Sequence, residues 1–221
     1  MTQLVLASIF FVGIHVFVSG TNLRARLVDR LGEGPYRTAF SVASAAGLVW
    51  MAWAYNRAPY LELWGAPTGL RHLAALLMLP ATFLVVAGLT TRNPTAVGAE
   101  RAAAQGPVGI VKLTRHPFLW GVAIWAFAHL LANGDVASLV FFASFFALAH
   151  VGPRLIDSKR ARNDPAGWAA FAAQTSATPF RGPLRPSLAE IGWWRIGLAV
   201  AVYVALLFWL HEAVIGVSPL V

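Results

Sequence analysis

Four histidines lie within or at the edges of apolar runs: His15, His116, His129 and His150. His15 sits in the stretch FVGIHVF, where nothing nearby in the sequence satisfies its ring. An ionisable side chain inside an apolar membrane segment is costly, and it is usually retained for a function. A neutral imidazole is a common metal ligand. We interpret His15 and His129 as candidate metal ligands. The alternative for His15 is a neutral ring bonded to a carbonyl of a neighbouring helix.

Two of these histidines are predicted to lie at similar depth. His129 lies about 18 Å along the helix axis from Pro117, and His15 lies about 13 Å from Arg24, at about 1.5 Å per residue. Ordinary helix tilt accommodates the difference of about 5 Å. Two neutral imidazoles on different helices at one depth can hold a haem iron from opposite faces. The pattern therefore predicts a metal site at His15 and His129. An alternative pairs His15 with His116.

The stretch TRHP at 114–117 places two further polar groups at a helix start. Proline is tolerated at the first helical position, so the helix is predicted to begin near Pro117. Arg115 and His116 then lie at the cytoplasmic boundary and face the headgroups or the mouth of a polar cavity. They are candidates for binding a phosphate or a haem propionate. The alternative is a basic anchor at a helix start.

The remaining polar side chains carry weaker signals. His150 precedes Gly152 and Pro153, and we interpret it as a histidine at a helix C-terminus, which the helix dipole favours. His72 and His211 are predicted near the outer ends of their helices and are interpreted as interfacial. No carboxylate is predicted beside a histidine in a membrane segment. The sequence therefore predicts no acid/base dyad, no nucleophile elbow and no phosphate loop.

The elements that must position these rings are membrane helices. Of 221 residues, 58% are hydrophobic and 12% are charged, against about 25% charged in a soluble domain. Six apolar segments are long enough to span a bilayer. They lie at about 3–20, 37–55, 70–91, 110–132, 135–152 and 193–214. The fold predicted is an all-α polytopic bundle of about six transmembrane helices, a single domain over residues 1–221, with the lipid bilayer as its environment.

Charge and cysteine usage narrow the function classes. The absence of cysteine excludes disulfides, iron–sulfur clusters and thiolate haem ligation. All 17 lysines and arginines except Arg57 and Arg71 fall in loops on one side of the predicted bundle. The positive-inside rule makes that side cytoplasmic and puts both termini outside. The net charge of +8 is thus attributed to orientation in the membrane, with no nucleic acid partner.

Two loops have distinct predicted structures. The connection Asn133-Gly134-Asp135 is short enough to force an antiparallel hairpin, with Asp135 as the N-cap of the next helix. The longest stretch outside the membrane lies at about 153–192. Within it, Asp164-Pro165 predicts an N-cap and first helical residue. We interpret that helix as interfacial, with its apolar residues Trp168 and Phe171 facing the lipid.

Six stretches together resemble one family. They are GIHVFVSG at 13–20, LGEGPYR at 31–37, LELW at 61–64, TRHP at 114–117, WAFAHLLANGD at 125–135 and TSATPF at 175–180. In this order, and over most of the chain, they resemble the NnrU family of bacterial membrane proteins, which is related to plant zeta-carotene isomerase.

The resemblance implies a function and a cofactor. NnrU proteins are associated with denitrification and support nitrite and nitric oxide reductase function. This implies a redox or assembly factor of the bacterial inner membrane, with a respiratory nitrogen-oxide reductase or an electron donor as partner. The plant isomerase binds haem b through two membrane histidines, which fall here on His15 and His129. A cysteine and a histidine of the isomerase are replaced by Ala126 and Asn56, which argues against carotenoid isomerisation.

Two alternative functions stay open at this stage. One is an enzyme on a lipid-soluble substrate, either a carotenoid-type isomerase or a methyltransferase. Arg115-His116-Pro117 is similar to the signature of isoprenylcysteine methyltransferases, where it helps to hold S-adenosylmethionine, although the paired glutamates expected downstream are missing. The other is a scaffold without a ligand, in which all six histidines have structural partners.

Overall fold

The computed structural model describes residues 1–65 and 67–220. Its α-helices are α1 Thr2–Gly13, α2 Leu23–Leu31, α3 Glu33–Asn56, α4 Thr68–Thr90, α5 Pro117–Ala132, α6 Val136–Asn163, α7 Pro165–Ala173, α8 Leu188–Ile191, α9 Trp193–Ala205 and α10 His211–Ile215. Two π-helical segments, Ile14–Ser19 and Leu206–Leu210, continue α1 and join α9 to α10. Two short 3₁₀ helices, Glu100–Gln105 and Gly109–Lys112, lie between α4 and α5.

Within the described ranges the chain is helical, has no β-strand, and contains five helices long and apolar enough to cross a membrane. The predicted all-α polytopic bundle is thus confirmed. The other apolar helix, α5, has 16 residues and is about 24 Å long at about 1.5 Å per residue. It begins at Pro117 and follows the cap residue His116. The predicted start at Pro117 is therefore confirmed. The predicted membrane segment at about 110–132 was too long, because its first residues precede the helix.

The α5–α6 connection is the predicted hairpin. The Asp135 carboxylate accepts a hydrogen bond from the Ser138 N–H at 3.0 Å and caps α6. The Gly134 carbonyl accepts hydrogen bonds from the N–H groups of Leu63 and Trp64. The loop after α3 therefore closes over this turn. We call this end of the bundle the hairpin end, and the end that carries residues 91–116 and 164–192 the loop end.

Close packing of α4 on α5 depends on glycine. A Cβ atom added at Gly121 would lie 2.7 Å from Val85 Cγ2 and 2.8 Å from the Ala81 carbonyl oxygen. A Cβ atom added at Gly88 would lie 2.7 Å from the backbone nitrogen of Phe118. Small residues that let backbones approach are typical of membrane helix interfaces. The two helices that build much of the candidate site are therefore held at short range.

Replacing Gly121 with alanine should destabilise the bundle by roughly 1–3 kcal/mol, because the new methyl group overlaps backbone atoms of α4 that cannot easily move. The measurement is the thermal unfolding midpoint in detergent. Gly197→Ala in α9 is the matched control, since a Cβ atom there meets nothing within 4 Å. Equal midpoints for the two variants would contradict this account of the α4–α5 contact.

Helix α6 is longer than its apolar segment predicts. The apolar segment predicted that this helix ends near residue 152, but α6 continues through Pro153 to Asn163. Beyond Pro153, Asp157 and Arg160 bond to other parts of the chain, which stabilises the last turns. His150 consequently lies inside the helix, and its interpretation as a helix C-terminal histidine was wrong.

The helix α7 begins as predicted but packs differently. The Asp164 carboxylate accepts a hydrogen bond from the Gly167 N–H at 3.0 Å, so Asp164 is the N-cap. Trp168 and Phe171 are buried in a hydrophobic cluster with Ile110 and Ile191. The prediction that these side chains face the lipid was wrong, because the 3₁₀ helix at 109–112 and the segment before α9 cover them.

Ion pairs join separate elements at the loop end. The Arg160 guanidinium lies 2.9 Å from the Glu100 carboxylate and also donates to the Ala96 carbonyl. Burial raises the pKa of the Glu100 carboxyl, but hydrogen bonds from backbone N–H groups and from Arg160 outweigh it, so that the pKa is lowered overall. The carboxylate therefore stabilises the fold at neutral pH.

Glu100→Gln should cost up to about 1 kcal/mol at pH 7, a small effect because the Glu100 side chain is 38% exposed. A carboxyl whose pKa is lowered by folding contributes stability above its unfolded pKa and loses it as the pH falls through the folded value. The difference in unfolding free energy between wild type and variant should thus shrink on acidification below about pH 4.5. Unfolding midpoints across pH test this, with Glu62→Gln as control. A gap that widens in acid would contradict it.

Candidate functional site

His129 is held in a defined orientation near the end of α5. Its Nδ1–H donates to the Trp125 carbonyl at 2.8 Å. Its ring stacks on Phe142 of α6, with centroids 4.7 Å apart. With the proton on Nδ1, the Nε2 atom carries the lone pair. A second hydrogen bond of this kind fixes the tautomer of metal-ligating histidines and raises their basicity. A neutral imidazole in this form can bind a metal through Nε2.

His211, the first residue of α10, faces His129. The two ring centroids lie 6.3 Å apart with an interplanar angle of 26°. The Nδ1–H of His211 donates to the Val217 carbonyl at 2.6 Å. Gly216, at a left-handed φ of 82°, turns the chain so that this carbonyl can reach back, a conformation that glycine adopts without a Cβ penalty. The interpretation of His211 as an interfacial residue did not anticipate this pairing.

The two rings line one cavity at the hairpin end. It has a volume of about 320 Å³ and lies between α4, α5 and the segment from α9 to residue 219. The lining is mostly apolar, with Tyr203, Asn133 and Arg71 among its polar residues. A volume of this size falls within the range of small-molecule sites, about 300–1,000 Å³. We call it the His129 cavity.

His15 lies elsewhere in the bundle. It is part of the π-helix Ile14–Ser19, and its Nδ1–H donates to the Phe11 carbonyl at 2.7 Å. Its ring contacts those of Phe11 and Phe40. The alternative interpretation of His15 predicted a hydrogen bond to a carbonyl of a neighbouring helix. The ring does bond a carbonyl, but this carbonyl belongs to the preceding turn of the same helical segment.

His15 and His129 contact different aromatic rings, Phe11 and Trp125, and a metal site shared by the two histidines stays a prediction. The rings of Phe11, Phe145 and Trp125 form a continuous series between them, with successive centroids 5.5 and 5.4 Å apart. The first helical segment ends at Ser19, as its apolar span predicted, and Arg24 lies in the next helix, α2. His15 is then about 6 Å from the loop end of its helix, whereas His129 is about 18 Å from the loop end of α5.

At the loop end, Arg115 and His116 meet a carboxylate. Arg115 donates through Nε and Nη2 to Asp157 Oδ2, at 3.0 and 2.6 Å. The His116 Nε2–H donates to Asp157 Oδ1 at 2.8 Å. We call these residues the Asp157 cluster. The sequence excluded a carboxylate beside a histidine only within the apolar membrane segments. Asp157 lies beyond the apolar part of α6, which continues and carries it to the start of α5.

The Asp157 cluster also closes the loop end around itself. Arg115 donates to the Thr175 carbonyl, and its own carbonyl accepts a hydrogen bond from Asn93. His116 is only 2% exposed. Its Nδ1 atom is buried and has no hydrogen-bond partner. The Asp157 carboxylate binds both Arg115 and His116, the two side chains predicted to bind an anion, so their observed contacts are structural. Their proposed contact with a phosphate or propionate stays a prediction.

The other histidines lie on the surface of the bundle. His150 is exposed, and its Nδ1–H donates to the Phe146 carbonyl. It lines a second cavity of about 240 Å³ with Trp120 and Arg154. His72 is exposed near the start of α4. Among the described residues, no group of three His, Asp or Glu side chains is placed to hold a metal ion.

The fold and the His129 cavity together define a class: a multi-pass membrane protein with a pair of histidines in an apolar cavity between three helices. The family model described as NnrU protein matches residues 3–219, nearly the whole chain. The chain belongs to the NnrU family. No curated protein and no solved structure matches it.

Proposed function

We propose that this NnrU protein binds haem b and supports nitrite and nitric oxide reductase function as a redox or assembly factor. The observation that carries the proposal is the orientation of His129. Its Nδ1–H is bound to the Trp125 carbonyl, and its ring lines a cavity of about 320 Å³. The protein then acts in the bacterial inner membrane with both termini periplasmic. A nitrogen-oxide reductase or its electron donor is the partner.

The residues of the His129 cavity fit a haem better than a bare ion. A haem supplies four nitrogen ligands from its own macrocycle, so the protein needs to add only axial ligands. His129 provides one such ligand. The apolar lining suits the macrocycle, and Arg71 brings a positive charge to the hairpin end of the cavity, where a carboxylate of the cofactor is favoured. Bound haem would supply one-electron chemistry, and the chain's own residues bind it, orient it and exclude water.

The absorption spectrum of the wild-type protein tests the proposal. The protein is expressed in haem-replete cells, purified in detergent and examined for a Soret band, with the haem type identified as a pyridine haemochrome. Near-stoichiometric haem b is expected. Colourless protein from cells that load another haem protein in parallel would overturn haem binding.

The physiological role needs its own test. In a denitrifying host, deletion of the gene should lower nitrite and nitric oxide reduction, and the wild-type gene should restore both. Unchanged reduction of both substrates in the deletion strain would overturn the role in denitrification while leaving haem binding in place.

A further inference from the structure

The second cavity, of about 240 Å³, lies at the loop end between the start of α5, the middle of α6 and the loop after α7. We infer that it binds the phosphate group of an anionic phospholipid, and that Arg154 is the cation that holds this group. We call it the Arg154 cavity. It shares no lining residue with the His129 cavity, so the inference is independent of haem binding. Its depth in the membrane, its unpaired donors and its aromatic wall support the inference.

The Arg154 cavity lies at the depth of lipid phosphate groups. From Val136, the first residue of α6, to Arg154 the helix rises about 27 Å at about 1.5 Å per residue. The hydrocarbon core of a bilayer is about 30 Å thick, and the headgroups border it. Arg154 is also the first lysine or arginine of α6, so it marks the point where the helix leaves the apolar layer. Its side chain can therefore reach the phosphates of the leaflet at the loop end.

Arg154 has a charge that the protein leaves unpaired. The side chain is exposed and lines the cavity, and it forms no ion pair within the described parts of the chain. The carboxylate of α6, Asp157, is bound instead by Arg115 and His116. Across the cavity, the Thr178 hydroxyl likewise makes no hydrogen bond to any described residue. A guanidinium and a hydroxyl that border one cavity match the oxygen atoms of a phosphate.

An aromatic wall lies beside these two donors. The Trp120 Nε1–H donates to the Ala177 carbonyl at 2.8 Å, which fixes the indole ring between α5 and the loop after α7. The His150 ring meets it in a T-shaped contact, with centroids 5.8 Å apart, and is itself held by the Phe146 carbonyl. Trp side chains favour the boundary between headgroups and acyl chains. The wall therefore suits the glycerol and the first acyl carbons of a lipid, which a free phosphate ion lacks.

The charge of the cavity favours a lipid with a net negative charge. None of the described residues that line it is acidic. The ammonium group of a zwitterionic lipid therefore finds no carboxylate there, whereas the phosphate of an anionic lipid meets Arg154. Basic pockets between membrane helices are known to bind anionic headgroups. Phosphatidylglycerol, which has one phosphate and no ammonium group, is thus the probe of choice.

Titration of the purified protein with phosphatidylglycerol tests the inference. The protein is kept in an uncharged detergent, and bound lipid is counted by native mass spectrometry. Phosphatidylglycerol should bind more tightly than phosphatidylcholine with the same acyl chains. Arg154→Gln should weaken its binding by at least about tenfold, since a charge-assisted hydrogen bond is lost. Arg162→Gln is the matched control, because it removes an exposed arginine of the same helix outside the cavity. It should bind as the wild type does.

Each alternative gives a different result. Equal affinities for the two lipids, or equal losses in the two arginine variants, would overturn the inference, because binding would then depend only on general contact with lipid or on overall charge. Inorganic phosphate that binds as tightly as phosphatidylglycerol, with the same dependence on Arg154, would identify a site for a soluble anion and overturn the lipid assignment. If Arg154→Gln is misfolded by gel filtration, Thr178→Val decides. It should weaken phosphatidylglycerol binding several-fold, and an unchanged affinity would overturn the inference.

Discussion

Replacing His129 with alanine should reduce the haem bound per purified protein by at least about tenfold. Loss of a residue that only orients a metal ligand already costs about 10–100-fold in metal affinity, and loss of the ligand itself should cost no less. The substitution also removes the ring that stacks on Phe142 at 4.7 Å, which leaves space that water can enter. The Soret absorbance relative to protein absorbance is the measurement, made after identical expression and purification.

The control for His129→Ala must be a histidine whose loss leaves the His129 cavity intact. His150→Ala satisfies this requirement, since that ring is exposed and lines the other cavity. It should retain wild-type haem content. Equal haem content in wild type and His129→Ala would remove His129 from the site. Equal loss in both variants would show that haem is retained by the general integrity of the bundle.

Replacing Asp157 with alanine should destabilise the protein by about 3 kcal/mol. Removing one member of a buried ion pair leaves the remaining charge without its partner, at a cost of about 3–5 kcal/mol. The side chains of Arg115 and Asp157 are 15% and 19% exposed, so the lower end of that range applies. For a chain of this size, about 3 kcal/mol lowers the unfolding midpoint by roughly 6–12 °C.

Two further variants separate the Asp157 cluster from nonspecific effects. Asp29→Ala removes an exposed carboxylate of α2 and should shift the midpoint little. Arg115→Ala combined with Asp157→Ala should cost less than the sum of the single changes, because the residues act as a pair. Strict additivity would contradict direct coupling between them. Haem content should stay near wild type in any Asp157→Ala protein that remains folded, since the cluster and the His129 cavity lie at opposite ends of α5.

Features that depend on a few consecutive residues were predictable. The Asp135 cap and the α5–α6 hairpin follow from residues within one turn of each other. The start of α5 at Pro117 and the cap at Asp164 were predictable for the same reason. The long apolar runs likewise predict membrane helices, because a span needs only length and the absence of charge. The family resemblance was carried by short motifs of the same local kind, and the match over residues 3–219 confirms it.

Features that depend on which helix faces meet were not predictable. The contact of His116 with Asp157 required α6 to continue beyond its apolar residues, and hydropathy alone contains no signal for that extension. A polar residue spaced one or two turns beyond an apolar run, as Asp157 is, is the only local signal that could have indicated the longer helix.

By itself, the sequence determined that this chain is an all-helical membrane protein of the NnrU family, with histidines inside its apolar segments. Only the tertiary structure decided that the His129 ring lies beside that of His211 in one cavity. The physical reason is geometric. Successive residues of an α-helix turn by about 100°, so one additional residue in a π-helical turn redirects every side chain that follows. Which rings then meet depends on how separate helices pack, and residues distant in the chain settle that packing.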